Sequence, residues 1–207
     1  MRRVGVVDYG MGNLMSMVSA LDMVGADVGL CQRPEDLATC DRIVLPGVGA
    51  FRACMEALAQ GGFIEALGEQ VLRGGKPFLG VCLGMQVLAR RSEEGGSHDG
   101  LGWIDAEVCR LRPADSALRV PQIGWNDVEF SADSAVFRRI PPLADFYFVH
   151  SFHMVCADAG NVEATCDYDG KVTAAVRKGN IFATQFHPEK SQTHGLQLLE
   201  NFLNWRG

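Results

Sequence analysis

Over the first half of the chain, short β-branched runs alternate with stretches in which apolar residues recur at helical spacing. Val4 to Asp8 reads as a buried strand, and after the turn Gly10-Met11-Gly12-Asn13 the residues Leu14, Met17, Val18 and Leu21 mark a helix with Asn13 at its N-cap. Ala26 to Cys31 and Arg42 to Leu45 read as the second and third strands. Ala53 to Leu72 is helical, with a break at Gly61-Gly62. An apolar run from Pro77 then stops at Cys82, and a helix is expected from there to about Ala89. Strands alternating with helices predict an open, mostly parallel twisted sheet with helices on both faces.

The second half changes character. Glu107 to Leu111, Val120 to Phe130, Phe146 to Ser151, Val162 to Tyr168, Val172 to Arg177 and Ile181 to Phe186 are strand-like, with few helical stretches between them. Asp169-Gly170 and Gly179-Asn180 are turn signals, so antiparallel hairpins are expected here, joined to the same sheet. Leu196, Leu199, Phe202 and Leu203 form the stripe of a closing helix, for which Ser191 or Thr193 could be the cap. Pro and Gly are scattered rather than gathered into a linker, and 207 residues fit one α/β domain, 1–207.

Composition removes several function classes. With 47% apolar and 21% charged residues the chain is an ordinary globular one. A net charge of -6 argues against nucleic acid as partner, since phosphate binding needs a basic face and Arg2-Arg3, Arg90-Arg91 and Arg138-Arg139 are only isolated pairs. The N-terminal apolar stretch is too short for a signal peptide and no run approaches membrane-spanning length, so a cytoplasmic protein without membrane contact is expected. Seven cysteines, with no Cys-x-x-Cys pair and no histidine at ligand spacing, predict neither a disulfide framework nor a metal site. Six of them read as small core residues.

The seventh, Cys82, stands in Gly80-Val81-Cys82-Leu83-Gly84, at a strand-to-helix turn bracketed by glycines. Such an elbow exposes a nucleophile, and the unpaired N–H groups at a helix start favour thiolate over thiol. The bland alternative is an inert buried cysteine. Pro46-Gly47-Val48-Gly49 leaves main-chain N–H groups uncovered and could form half of an oxyanion hole, or be only a turn. Asp8-Tyr9-Gly10-Met11-Gly12-Asn13 lacks the third glycine of a dinucleotide fingerprint, where Met15 stands, so no cofactor is expected. Among five histidines, His187 ends a strand and precedes Pro188, which holds it extended. Glu189 then shares its face and can orient the ring.

The order of Pro46-Gly47-Val48-Gly49, Gly80-Val81-Cys82-Leu83-Gly84-Met85-Gln86 and His187-Pro188-Glu189 resembles the class I (triad) glutamine amidotransferases, over nearly the whole chain. The segments Gly100-Leu101-Gly102, Pro121-Gln122-Ile123-Gly124-Trp125-Asn126, Tyr147-Phe148-Val149-His150-Ser151 and Gln185 to Gln192 are similar to members that serve histidine biosynthesis. That resemblance implies hydrolysis of L-glutamine by Cys82, His187 and Glu189, with the Val48 and Leu83 N–H groups holding the oxyanion. It implies further that Gly49, Gln86, His150, Ser151 and Phe152 hold the amino-acid end of the substrate. Ammonia would pass to a separate (β/α)8-barrel cyclase in a heterodimer, docked by analogy at Asn13, Trp125 and Tyr147. Many family members carry His where this chain has Gln122, so the resemblance carries no catalytic role over to that position and leaves the triad untouched. Rival readings are a glutaminase serving vitamin B6 formation or surface-sugar amidation, and a non-catalytic regulatory module. The module would be expected to lose Cys82, His187 or Glu189, and none is lost.

Overall fold

The β-branched runs of the first half become four neighbouring strands, β1 (Arg3–Val7), β2 (Asp27–Cys31), β3 (Arg42–Gly47) and β4 (Phe78–Cys82), in a computed structural model that describes residues 3–207. Met1 and Arg2, on which the expectations about the N-terminal stretch and the first arginine pair partly rest, lie outside the described residues. The four strands run parallel in the order β2-β1-β3-β4. The connections carry α1 (Leu14–Met23), α2 (Phe51–Gln60) and α3 (Phe63–Leu67), with the break at Gly61-Gly62 where it was expected and a π-helical turn, Gly68–Arg73, after α3.

Both faces of the parallel part are covered, which is why β3 and β4 are buried at every residue. Alternation divides their side chains between two cores. Val4, Val6, Val44, Leu79 and Val81 pack against α1 and against α5 (Gln192–Asn204). Val7, Ile43, Leu45 and Phe78 pack against α2 and α3.

Beyond Cys82 the helix α4 spans only Leu83–Gln86, shorter than the stretch to Ala89 that the sequence predicts. The reason is a competing strap of backbone: the carbonyls of Val87, Leu88 and Ala89 accept from the N–H groups of Leu101, Ile104 and Gly102. The chain then makes two short strands and a longer one, β5 (Arg91–Ser92), β6 (His98–Asp99) and β7 (Ala106–Arg110). It continues through β8 (Gln122–Phe130), β9 (Asp145–His150), β10 (Phe152–Cys156), β11 (Val162–Asp167), β12 (Lys171–Lys178) and β13 (Ile181–Thr184). Strands β13, β12, β11, β8 and β9 extend the first four into one nine-stranded sheet. β13 is parallel to β4, and the later pairings are antiparallel.

A second sheet, β10-β7-β5-β6, was not anticipated. It exists because the expected strand through Ser151 breaks there: β9 pairs with β8 up to His150, and from Phe152 the chain crosses to pair with β7. Cys109 and Cys156 lie on this smaller sheet and are partly exposed, which corrects their assignment to the core. Ser191 also differs from expectation. It stands at the N-cap of α5 but makes no cap bond; its hydroxyl donates to the His187 carbonyl at 2.6 Å and accepts from the Tyr147 N–H at 3.0 Å. Asn13 likewise occupies the N-cap of α1 without a side-chain cap bond.

Candidate active site

Two adjacent parallel strands bring the chemistry together. Thr184 at the end of β13 lies beside Val81 of β4, so Cys82, the last residue of β4, and His187, shortly past the end of β13, emerge at the same edge of the sheet. Cys82 takes φ 55° and ψ -108°, a strained conformation that costs a non-glycine residue on the order of 1–3 kcal/mol and lifts its side chain off the strand. The flanking glycines make that turn possible by close approach. A Cβ on Gly84 would lie 1.9 Å from the Leu45 carbonyl oxygen, and one on Gly80 2.5 Å from the Gly84 carbonyl oxygen. Because α4 is a single turn, the favourable environment for a thiolate reduces to its first unpaired N–H groups.

His187 is held from both sides. Its Nδ1 lies 2.7 Å from Glu189 Oε1, with both side chains almost fully buried. Its Nε2 has no well-formed hydrogen bond, yet the Cys82 sulfur is near enough to act on the ring. Burial works against the imidazolium, but the Cys82 sulfur and the Glu189 carboxylate outweigh it and push the His187 pKa up to about 9. The ring therefore carries a proton at neutral pH, with a carboxylate behind it and the sulfur in front.

In front of this pair lies a cavity of about 420 Å³, within the range of small-molecule sites. The structure brings Val48, Gly49, Cys82, Leu83, Gln86, His150, Ser151, Phe152 and His187 together on its walls; Glu189 stands behind the ring and is not part of the lining. Not all of these offer free polar atoms. The Phe152 carbonyl already accepts from Gln86 Nε2 at 2.9 Å and from His150 Nδ1 at 2.8 Å, and the Ser151 carbonyl accepts from the Leu111 N–H. Gln86 spends its second amide hydrogen on Gln185 Oε1 at 2.9 Å, which leaves its carbonyl oxygen for a ligand. His150 is neutral, because burial pushes its pKa down to about 4. Its Nε2 lies 2.9 Å from the Gln122 amide, so Gln122 serves to hold a ring rather than to meet substrate.

Glu94 also lines the cavity, and its carboxylate accepts the Phe51 N–H at 2.8 Å. Sequence reasoning missed it, since Glu93-Glu94-Gly95-Gly96 reads as a solvated turn. The loop from Pro46 to Phe51 is thus tied at both ends, for the Tyr9 phenol donates to the Pro46 carbonyl at 3.0 Å. Burial raises the Tyr9 pKa far enough to keep that proton in place.

Of the residues expected at a docking face, Trp125 and Tyr147 lie together near Lys190. Trp125 is about half exposed and packs edge-on against Tyr147, their ring centroids 6.0 Å apart, while Lys190 Nζ sits over the Tyr147 ring. Asn13 is exposed at the start of α1, the helix that also presents Met15 and Met23 to solvent. Lys190 lines both the cavity and a groove between α1 and Gln192. Among the described residues no group of metal-ligating side chains is assembled, and no helix is long and apolar enough to cross a membrane.

Comparison with known proteins adds independent findings. The family model described as glutamine amidotransferase class-I matches residues 5–205. The chain is 47% identical to the imidazole glycerol phosphate synthase subunit HisH of Rhodospirillum rubrum, over 98% of this chain and 99% of that one. It is 46% identical to subunit HisH 1 of Campylobacter jejuni, over 97% and 98% respectively. The HisH subunit of Brucella abortus is 44% identical, over 99% of each chain. Among solved structures, a glutamine amidotransferase superposes with a TM-score of 0.75 at 23% identity, covering 97% of each chain. PurLQS from Thermotoga maritima gives 0.75 at 20% identity, covering 99% of each.

Proposed function

This chain belongs to the class-I glutamine amidotransferase family, and from that premise we propose that it is the glutaminase subunit of an imidazole glycerol phosphate synthase in histidine biosynthesis. The single observation that carries the chemistry is a strained cysteine beside a buried, protonated His187-Glu189 pair at the wall of a cavity of small-molecule size.

The residues support the following sequence. The Cys82 sulfur attacks the side-chain amide carbon of glutamine, and the electron pair of the carbonyl moves to oxygen, where the N–H groups of Val48 and Leu83 receive it. The tetrahedral carbon then collapses to a thioester as its bond to nitrogen breaks, and the departing nitrogen takes its proton from His187. Water attacks the thioester with His187 as base, and glutamate leaves as sulfur regains its charge. Gln86 Oε1 and the Glu94 carboxylate suit the α-ammonium end of the substrate, because both are acceptors among the residues that line the cavity.

Ammonia released into neutral water is mostly protonated and loses the lone pair it needs as a nucleophile. A sheltered path to a second active site follows from that chemistry. The partner is a (β/α)8-barrel cyclase in a heterodimer, docked over Trp125, Tyr147 and Asn13. The exposed Met15 and Met23, beside Lys190 and the back of Glu189, are consistent with such a face. The high identity to HisH subunits favours this pathway over vitamin B6 formation or surface-sugar amidation.

A glutamine analogue with an electrophilic carbon, 6-diazo-5-oxo-L-norleucine, tests the reading directly. Peptide mass spectrometry is expected to find it on Cys82 alone among the seven cysteines; labelling spread over several, or absent from Cys82, would remove the nucleophile. Glu189→Gln is expected to lower glutaminase turnover by on the order of ten- to a hundredfold less than loss of Cys82 does, the ratio seen between orienting acid and nucleophile in a serine triad. It also withdraws one of the charges that raise His187, so the alkaline limb of the activity profile moves to lower pH. An unmoved profile would mean that another group holds the ring. Trp125→Ala is expected to raise the Kd for the cyclase by about 30-fold, a loss of roughly 2 kcal/mol typical of an aromatic anchor. An unchanged Kd in titration calorimetry would take Trp125 off the docking face.

A further inference from the structure

Gln185 is fully buried, and the sequence of steps above leaves it without a task. It follows β13 directly, and the strand geometry continues through it: its N–H donates to the Ala174 carbonyl at 2.8 Å, and the Thr184 hydroxyl fixes the Phe186 carbonyl at 2.9 Å. Phe186 turns into an aromatic cluster, stacked on Phe146 at 4.2 Å and edge-on to Phe148 at 5.7 Å. Alternation then sends the side chains on either side of it, Gln185 and His187, toward Cys82. Gln185 Nε2 lies 3.6 Å from the Cys82 sulfur, within hydrogen-bond reach for that larger atom.

Which end of the amide faces the sulfur follows from its neighbours. Gln86 Nε2 meets the Phe152 carbonyl, which can only accept, so Gln86 must present its NH2 group on that side. The second hydrogen of that group goes to Gln185 Oε1. With its oxygen engaged, Gln185 has only N–H to offer the sulfur. The amide cannot turn over without setting two oxygens, or two NH2 groups, against each other in a buried place.

We propose that Gln185 is a further catalytic residue, a fixed hydrogen-bond donor to the Cys82 sulfur that stabilises its negative charge both before attack on the substrate and when the thioester opens. The proposal rests on the reading of Cys82 as nucleophile and gives the sulfur a second support of a different kind. His187 surrenders its proton to the departing nitrogen, and its ring stays neutral until it takes another from the attacking water. A carboxamide does not titrate, so Gln185 donates equally at every stage.

The test is alkylation of the full-length chain by iodoacetamide across a range of pH, with Cys82 modification read by peptide mass spectrometry, for the original chain, Gln185→Met and Gln185→Glu. Gln185→Met fills the space without a donor, and its reactivity profile is expected to move to higher pH by about one unit, seen as a rate about tenfold lower on the acid limb of the profile. The near-isosteric Gln185→Glu keeps the acceptor for Gln86 but sets a carboxylate against the sulfur, so its shift is expected to be the larger. Turnover of glutamine should fall in the same order with KM little changed. Profiles that coincide with the original in variants of unchanged circular dichroism would overturn the proposal, and so would a larger shift for Met than for Glu. Should Gln185→Met fail to fold, the isosteric variant decides alone. Failure of the underlying reading looks different: Cys82 of the original chain would then react no faster than the other cysteines.

Discussion

Cys82→Ala is expected to remove glutamine-dependent synthesis by the assembled complex, by about a thousandfold or more, while synthesis from added ammonium salt stays nearly intact. The size follows from the role, since no other group on the cavity wall can form the thioester. Its selectivity follows from the proposed separation of sites: the substitution removes one sulfur from a turn whose backbone is fixed by the approach of Gly84 to Leu45, and the proposed acceptor site belongs to another chain. Alanine keeps the Cβ, so the strained φ at position 82 is retained and docking is not expected to be disturbed. Activity with both nitrogen sources, measured on a complex whose assembly is checked by gel filtration, decides the matter. Equal loss in both assays would make Cys82 structural.

The second large effect concerns the chain by itself. The isolated subunit is expected to be a poor glutaminase, and the cyclase carrying its nucleotide ligand to raise turnover by roughly a hundred- to a thousandfold, the range associated with one oxyanion donor. The physical cause is the loop Pro46 to Phe51. Tyr9 grips the Pro46 carbonyl and Glu94 grips the Phe51 N–H, so the freedom of the loop is confined to the peptides between. Within it Gly49 holds φ 100°, and the branched side chain of Val48 is 40% exposed. Turning the Gly47-Val48 peptide inward or outward differs by about 1–3 kcal/mol of backbone strain, which makes an inactive resting orientation accessible. A partner can reverse that balance only by binding the two orientations unequally. Steady-state assays on the chain alone, with cyclase, and with cyclase plus nucleotide would show equal turnover if no such switch exists.

Much of this was legible along the chain, and the exceptions share a cause. Strands β1, β3 and β4 follow from apolar runs buried on both faces, a local signal. The contact of Glu189 with His187 was expected from extended backbone; the contact forms, but through a 3-10 turn, Pro188–Lys190, that follows an extended His187. The end of α4 is not local: Val87 to Ala89 read as helix until the strap at Gly100 to Ile104 takes their carbonyls. Ser191 reads as a cap, but Tyr147 and His187 claim its hydroxyl. Gln185 reads as a polar residue late in an apolar run, and its meaning depends on Cys82 and Gln86, about a hundred positions earlier. The small sheet was invisible because two of its strands are only two residues long.

The strand order has a consequence for the protein during its synthesis. β13, which leaves the ribosome long after β4, is the middle strand of the nine and lies between β4 and β12. Until it is inserted, a nascent chain has Cys82 but neither His187 nor Glu189, and the two halves of the sheet lack the strand that joins them. Contacts this distant in sequence form slowly. A truncated translation product ending before Ile181 therefore cannot consume glutamine, and the activity begins only once the segment from Ile181 to Glu189 has been made and inserted.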